Sequence, residues 1–337
     1  SIANDLKFTI DAMKTTINQL SGIEGRKIMI HVSDGLPQSA GAEIWKYISD
    51  RFQYAGGVLQ LNFEFDRTQS YLSVIQAANS AGVTMYTIDT TGLETDSAVS
   101  AESRAGAARL DAFTEKNNLQ SMLSLMSEET GGKAILNKND VTVALKEIEK
   151  DTSSYYSLGY RSLRSGADRP HKVDVKVLKK GLTARARRSY LEKSPETRVQ
   201  EAVVSALYFA RDDNPLGIGI EVGTPTPADH GNYVVPITIR VPYARIAMIP
   251  DGPKARGRLV FYFMVVDSVG KESDLSRLPL PIEMSTRQLD QASKQDFKYD
   301  VKLLMIPGGQ KLSLAVRDEI TNSSSYLQKS IFVSALN

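Results

Sequence analysis

The first half of the chain alternates between segments with a helical hydrophobic period and short apolar runs. Helices with apolar residues at every third or fourth position are predicted over residues 6–20, 69–81, 119–126 and 141–148, with a further one near 44–48. Strands are predicted at residues 27–32, 58–65, 83–88 and 133–136. The nearly continuous apolar runs at 27–32 and 83–88 are typical of strands that are buried on both faces of a parallel sheet. This alternation predicts a mainly parallel, doubly wound α/β domain.

From about residue 151 onward, apolar and polar residues alternate with the period of a strand. Strands are predicted at residues 155–160, 172–178, 182–188, 216–222, 233–241, 258–266, 298–306, 311–316 and 326–333. The later ones, separated by turn residues, are typical of an antiparallel sandwich of the immunoglobulin or fibronectin type. A boundary near Ser194 and Pro195 gives an α/β domain at 1–194 and a β-sandwich domain at 195–337. The second domain is predicted to begin with a short connecting helix over residues 197–208.

Composition narrows the class of protein. A chain of 337 residues fits two domains, and its 42% hydrophobic and 24% charged residues are typical of globular proteins with sizeable cores. The net charge of +2, from 41 basic and 39 acidic residues, argues against a dedicated nucleic-acid surface. The absence of cysteine excludes disulfides, thiolate catalysis and Cys-ligated zinc. The longest strongly apolar run, at 259–266, is far shorter than the roughly 20 residues of a transmembrane helix.

Several strings of residues resemble one known family. Residues 25–37 (GRKIMIHVSDGLP) are similar to the central strand and following loop of von Willebrand factor A domains, and residues 77–89 to the next helix–strand step. Four further strings resemble the bacterial, acidobacterial-type VWFA-related proteins in order and spacing: 130–134 (TGGKA), 139–141 (NDV), 155–160 (YYSLGY) and 184–190 (ARARRSY). The resemblance covers roughly residues 5–191 and implies the C-terminal part of a von Willebrand factor A-like domain that lacks its N-terminal part.

The resemblance also implies a site for Mg²⁺ or Mn²⁺ at the C-terminal edge of the sheet, where open α/β sheets place their ligands. Asp34 matches the aspartate of the family's third metal loop. Ser33 and Gly35 beside it, and Asp89 at the end of another strand, are the accompanying binding candidates. Asp89 is not a metal ligand in the family pattern.

Two interpretations of Asp34 stay open. The family's first metal loop, Asp-x-Ser-x-Ser, is absent from this sequence, and its threonine loop is not identifiable, so the site is incomplete. Asp34 is then either a metal group whose site is completed upstream of Ser1, or a turn residue. In the second case its carboxylate accepts hydrogen bonds from nearby backbone N–H groups.

The remaining residues that could carry chemistry do not indicate an enzyme. His31, His171 and His230 are too scattered to form a metal-ligand spacing, and His31 is interpreted as a hydrogen-bonded core residue. No phosphate-binding loop, nucleophile elbow or zinc-protease motif is present. The basic run at 179–188 alternates with alanines, so it is interpreted as a solvated or edge-protecting strand face and not as a nucleic-acid site.

These observations favour a non-catalytic, extracytoplasmic protein-binding or adhesion module, metal-dependent if residues upstream of Ser1 complete the site. The alternative is a structural subunit of a surface or secreted assembly, and a metal-assisted hydrolase is a third hypothesis. The resemblance implies a periplasmic, cell-surface or secreted location. Because a sheet without its first strand exposes unpaired backbone and apolar faces, we expect the chain's own N-terminal fragment or another chain to pair there.

Overall fold

In the computed structural model of this chain, the structure describes residues 2–42, 65–92, 105–159 and 168–334, without the side chains of residues 2 and 105–114. The chain divides into two compact units, Ser1–Glu192 and Lys193–Asn337. The helix predicted at 44–48 and nearly all of the strand predicted at 58–65 lie outside the described residues.

The first unit combines helices with a small parallel sheet. Its elements are α1 (Ile2–Leu20), β1 (Lys27–Ser33), α2 (Thr68–Ala81), β2 (Val83–Asp89), α3 (Ala105–Glu129), β3 (Ala134–Ile135), α4 (Val141–Thr152), β4 (Arg169–Lys172) and β5 (Ser189–Glu192). The strands β1, β2 and β3 form a parallel sheet in that order. The strands β4 and β5 form a separate antiparallel pair.

The central strand β2 is covered on both faces. Val83 and Met85 on one face pack against α1, α2 and α3 in the main core of the unit. Tyr86 and Ile88 on the other face pack against α4. The sequence predicted this burial on both faces, which explains why β2 is a continuous apolar run in which apolar and polar residues do not alternate.

The turn after α3 lies in direct contact with β2. The hydroxyl group of Thr130 accepts a hydrogen bond from the backbone N–H of Met85 at 3.0 Å and donates one to the carbonyl oxygen of Met126 at 2.8 Å. At Gly132 a Cβ atom would lie 1.8 Å from the carbonyl oxygen of Met85. Only glycine therefore lets the turn approach the strand this closely.

We expect Gly132→Ala to lower the free energy of unfolding by about 3 kcal/mol or more, because backbone on both sides must move to admit the methyl group. Gly159→Ala is the matched control, since a Cβ atom there would meet no atom of the described residues within 4 Å. The control should change stability by less than about 0.5 kcal/mol. Urea denaturation of the two variants measures this difference, and equal midpoints would show that the close contact does not form.

The second unit consists mainly of antiparallel strands. Its helices and strands are α5 (Pro195–Ala206), β6 (Gly219–Val222), β7 (Thr226–Pro227), β8 (Tyr233–Pro242), β9 (Ile249–Asp251), β10 (Lys254–Asp267), β11 (Ser276–Ser285), α6 (Leu289–Ala292), β12 (Asp296–Met305), β13 (Gly308–Asp318) and β14 (Ser324–Val333). One sheet has the order β11-β10-β13-β14, with β9 also on β10. The other has the order β12-β8-β6, with β7 also on β8.

The two sheets share one apolar core, and α5 adds a second one. Phe261 of β10 lies in the shared core, where its ring meets those of Phe297 and Tyr299 edge-on at centroid distances of 6.4 and 5.6 Å. On the outer face of β10, Tyr262 and its neighbours pack under Val203 of α5. The predicted connecting helix is thus present and covers a sheet face.

The fold class expected from the sequence, a doubly wound von Willebrand factor A-like sheet followed by an immunoglobulin- or fibronectin-like sandwich, is wrong. In the described residues the parallel sheet has three strands in the order β1-β2-β3. A doubly wound sheet contains a point at which the order of successive strands reverses, and this order has none. The antiparallel strands form curled sheets that resemble a half-barrel.

The curl has a physical cause in the register of β10. This strand of 14 residues pairs with β11 along residues 254–263 but with β13 along residues 259–267. A stagger between neighbouring ladders bends a sheet towards a barrel. Alternation of apolar residues predicts a strand without predicting its register, so the sequence could not predict the curl.

The segments predicted as strands before the boundary are mostly unpaired. Regular pairing of β4 with β5 ends at Lys172 and Ser189, and residues 173–178 and 182–186 lie outside any ladder. Residues 155–159 are also not a strand, and the rest of that prediction lies outside the described residues. These segments alternate in sequence, but the described structure gives them no partner strand.

Candidate functional site

The parallel register brings the sequence candidates of two strands to one edge of the sheet. Ser33 and Asp89 are paired at the carboxyl ends of β1 and β2. The backbone N–H of Thr90 donates to the carbonyl oxygen of Ser33 at 2.9 Å. Ser33, Asp34, Gly35 and Asp89 therefore all lie at this edge, as expected for the carboxyl ends of parallel strands.

Asp89 is a buried carboxylate that its neighbours already satisfy, with an exposed fraction of 1%. Its Oδ1 accepts hydrogen bonds from the backbone N–H and the hydroxyl group of Thr91, at 2.9 and 2.7 Å. Its Oδ2 accepts one from the side-chain amide of Gln120 at 2.5 Å. The same amide nitrogen of Gln120 lies 3.2 Å from Oδ1 of Asn137. Gln120 of α3 thus links Asp89 at the end of β2 to Asn137 after β3.

Sequence reasoning missed Gln120 and Asn137. Asn137 follows β3 and has a positive φ of 57°, so the rule that carboxyl ends of parallel strands meet at one edge would have found it. Gln120 gives no such signal, because it lies inside a helix and nothing in its spacing distinguishes it from a solvated residue.

Asp34 is exposed, and its neighbours have structural roles. The backbone N–H of Gly35 donates to the hydroxyl group of Ser33 at 3.2 Å. Gly35 has a φ of +128°, and a Cβ atom there would lie 2.7 Å from Cβ of Leu119. The turn is therefore closed by Ser33 and packed against α3, and the carboxylate of Asp34 makes no hydrogen bond to any residue that the structure describes.

The described residues of this edge do not by themselves fit a Mg²⁺ or Mn²⁺ ion. Such a cation needs several oxygen ligands. Both oxygens of Asp89 face N–H and O–H donors, and the positive end of the Gln120 amide points at the position that a cation would take. Asp34 is exposed and makes no hydrogen bond to a described residue, so its carboxylate is free to reach an ion, but one carboxylate does not make a site. Among the described residues, no group of three or more His, Cys, Asp or Glu side chains is suited to a metal.

We expect Asp89→Ala to lower the free energy of unfolding by about 2–4 kcal/mol, because it leaves the buried donors of Thr91 and Gln120 unpaired. Asp34→Ala is the control at the same edge and should change stability by less than about 0.5 kcal/mol. Chemical denaturation compares the two. A loss that is the same for both variants would contradict the structural role of Asp89.

A second feature of the first unit is an apolar stripe on β1, formed by Ile28, Ile30 and Val32. Their exposed fractions are 37%, 42% and 51%. In the described sheet β1 is an edge strand, paired with β2 alone. The opposite face of the strand points into the main core through Met29. β1 is therefore covered on one face and open on the other.

The helix α4 lies on the same face of the sheet as the β1 stripe. Ile30 and Val32 are paired with Tyr86 and Ile88, which pack against α4, and paired residues in a sheet point to the same side. The apolar face predicted for α4 is only partly buried. Ala144 and Ile148 are buried, whereas Val141 and Leu145 are 43% and 46% exposed.

Polar contacts fix the end of α4 close to the start of β1. The hydroxyl group of Tyr86 donates to Oδ2 of Asp151 at 2.5 Å, and the other oxygen of Asp151 pairs with the guanidinium group of Arg185. Burial, and next the bond to Asp151, raise the pKa of Tyr86 to about 12. The guanidinium group of Arg26 donates to the carbonyl oxygen of Thr152 and lies 4.7 Å from the ring centroid of Tyr155.

His31 lies between the residues of the β1 stripe and points to the other face. Its Nε2 atom is buried and has no hydrogen-bond partner among the described residues, so the prediction of a hydrogen-bonded core histidine fails at this atom. Desolvation by burial lowers the pKa of His31 below its ordinary value.

We expect His31 to make the protein less stable in mild acid. Because the folded state disfavours the charged form, only the unfolded state binds the proton as the pH falls below about 6.5, and stability is lost from there downward. His31→Leu should reduce this loss between about pH 7 and pH 5. Free energies of unfolding at both pH values test this, and an unchanged pH dependence in His31→Leu would contradict it.

No family model matches this chain, and no curated protein does. Among solved structures, the chain is similar to a putative β-galactosidase from Bacteroides fragilis at 8% identity and a TM-score of 0.25, over 36% of this chain and 16% of that one. A β-glucuronidase from Bacteroides uniformis has 7% identity and a TM-score of 0.22, over 34% and 13%. The putative ApaA protein from Bordetella pertussis has 10% identity and a TM-score of 0.24, over 36% and 96%.

At these TM-scores the likenesses carry no argument about the fold or activity of this chain. None of the comparisons shows a von Willebrand factor A domain. Within the part of the chain that the structure describes, no helix combines the length and the apolar content that crossing a bilayer requires.

Proposed function

We propose that this chain is a non-catalytic protein-binding module of an extracytoplasmic protein, and that its partner covers the open face and edge of β1. The observation that carries the proposal is the β1 stripe. All three side chains of the stripe are aliphatic and exposed, and they lie on a strand that has one neighbour in the described sheet.

The physical argument concerns both the backbone and the side chains of β1. An edge strand presents a row of N–H and C=O groups, and an added strand from a partner satisfies them while its alternate side chains give specificity. Soluble proteins usually blunt such edges with charged residues, but Ile28, Ile30 and Val32 leave this one apolar. Val141 and Leu145 of α4 extend the apolar surface on the same sheet face.

The polar edge of the sheet supports a binding role more than a catalytic one. The carboxylate that two strands and a helix bring together, Asp89, is buried and hydrogen-bonded to Thr91 and Gln120. A general base or nucleophile must instead face a substrate. Asp34 is exposed, but it belongs to no group of three or more His, Asp or Glu side chains suited to a metal among the described residues.

A structural subunit of a surface or secreted assembly is the second candidate. It is favoured by Phe332 on the edge strand β14, which is 74% exposed. Exposed apolar residues on edge strands of both units are what strand-to-strand association of identical chains requires. In this case a second copy of the chain would cover β1.

Ile30→Lys tests the proposal by placing a charge in the middle of the β1 stripe. We expect the wild-type chain to bind a specific partner from envelope or secreted fractions of its host, and the variant to bind it at least about tenfold more weakly. Val269→Lys is the matched control in the second unit, at a position that is 83% exposed, and should bind as the wild type does. Hydrogen exchange of residues 27–33 should slow on binding.

Sedimentation velocity separates the two candidates. Self-association of the wild type that is lost in Ile30→Lys supports the assembly, whereas a monomeric chain with a saturable foreign partner supports the binding module. The proposal fails if Ile30→Lys and Val269→Lys bind alike, or if exchange in β1 is the same with and without the partner. Unchanged thermal unfolding shows that the variants are folded.

A further inference from the structure

The antiparallel pair β4–β5 continues into a segment with a fixed base and a projecting end, residues 173–188, which we name the basic arm. At its base the backbone N–H of Val173 donates to the carbonyl oxygen of Arg188, and the N–H of Arg188 donates to the carbonyl oxygen of Glu129. A Cβ atom at Gly131 would lie 2.6 Å from the backbone nitrogen of Arg187. The base is therefore packed closely against the end of α3.

The tip of the arm exposes two leucines. Leu178 is 98% exposed and Leu182 is 57% exposed, on either side of a turn in which Gly181 has a φ of +80°. Val175 and Val177, which precede the tip, are 36% and 40% exposed. A leucine that is almost wholly in water, as Leu178 is, gains nothing for folding. Four exposed apolar residues in one short segment indicate a surface that something else covers.

The arm is also the most basic part of the chain. It contains six basic residues, Lys176, Lys179, Lys180, Arg185, Arg187 and Arg188, against one acidic residue, Asp174, whereas the whole chain has a net charge of +2. Arg185 pairs with Asp151, and Lys176 lies near Asp174. Lys179 and Lys180, in the turn between the leucines, form no ion pair with any residue that the structure describes. The free cations and the exposed leucines thus coincide at the tip.

We propose that the tip of the basic arm docks reversibly on an anionic lipid bilayer. Leu178 and Leu182 enter the boundary between head groups and acyl chains, and Lys179 and Lys180 contact the lipid phosphates. Binding to a membrane surface of this kind requires both buried apolar area and attraction to anionic lipids.

The leucines decide between a bilayer and other anionic partners. Nucleic acids bind through phosphates and base edges, and a polyanion in water would leave Leu178 and Leu182 exposed. A bilayer is anionic and also provides an apolar layer a few ångströms below its charges, so it matches both features of the tip. This inference rests on the arm alone and is independent of the role proposed for β1.

Co-sedimentation with lipid vesicles tests the proposal. We expect the chain to bind vesicles of phosphatidylcholine mixed with phosphatidylglycerol. Binding to vesicles of phosphatidylcholine alone should be at least about tenfold weaker. Binding should fall as salt is raised, because the head-group field is screened. Equal binding to both kinds of vesicle would overturn the proposal.

Two double variants separate the apolar and the charged contributions. Leu178→Ser with Leu182→Ser, and Lys179→Glu with Lys180→Glu, should each weaken binding to the mixed vesicles at least about tenfold. The matched controls remove comparable exposed groups from the second unit, Val269→Ser with Leu304→Ser and Lys298→Glu with Lys302→Glu. These controls should bind as the wild type does.

Two results would overturn the proposal at this stage. If the serine variant binds the mixed vesicles as tightly as the wild type, the attraction is electrostatic adhesion without insertion. If duplex DNA at equal phosphate concentration displaces the vesicles and binds the serine variant unchanged, the arm is a polyanion site. Because the substituted side chains are exposed, unchanged circular dichroism and thermal unfolding are expected and establish that loss of binding is not loss of folding.

Discussion

The parallel part of the molecule depends on the close packing of β2 between helices on both of its faces. On one face, the side chain of Met85 lies in the core, and the turn at Gly132 packs directly against the carbonyl oxygen of Met85. On the other face, the hydroxyl group of Tyr86 is hydrogen-bonded to Asp151 at the end of α4. Because β2 is covered in this way, α3 and α4 are fixed relative to the sheet, and with them the polar edge at Asp89 and the open face of β1. The two candidate surfaces thus share one strand as their support.

Much of the local structure could be predicted from the sequence, because a helix or strand that buries one face has apolar residues at regular spacing. The helix α1 and the strands β1 and β2 follow from spacing alone. The fold class could not be predicted, because the number of paired strands and the stagger of β10 depend on which strands meet, and alternation does not specify partners. The segment 173–188 shows the same limit, since it alternates like a hairpin but is paired only at its base.

For the candidate site, the sequence predicted the place better than the chemistry. The pattern of strands predicted that Ser33 and Asp89 lie at one edge of the sheet, because the carboxyl ends of parallel strands meet there. It could not predict that Gln120, from the middle of a helix, would donate to Asp89 and make that carboxylate structural. Likewise, the apolar run 27–32 predicted a strand buried on both faces, and the structure leaves one face of it exposed. Both differences arise from contacts between segments distant in sequence.

The packing of α5 has a consequence for where the second unit begins. This helix starts at Pro195, shortly after the division between the units. Its residue Val203, and Leu207 just after its last turn, cover Tyr262 on the outer face of β10. A truncated chain that starts at β6 would keep every strand of the unit but would expose this face to water. The smallest fragment expected to remain soluble therefore starts at Lys193, so limited proteolysis should spare α5 when it releases the second unit.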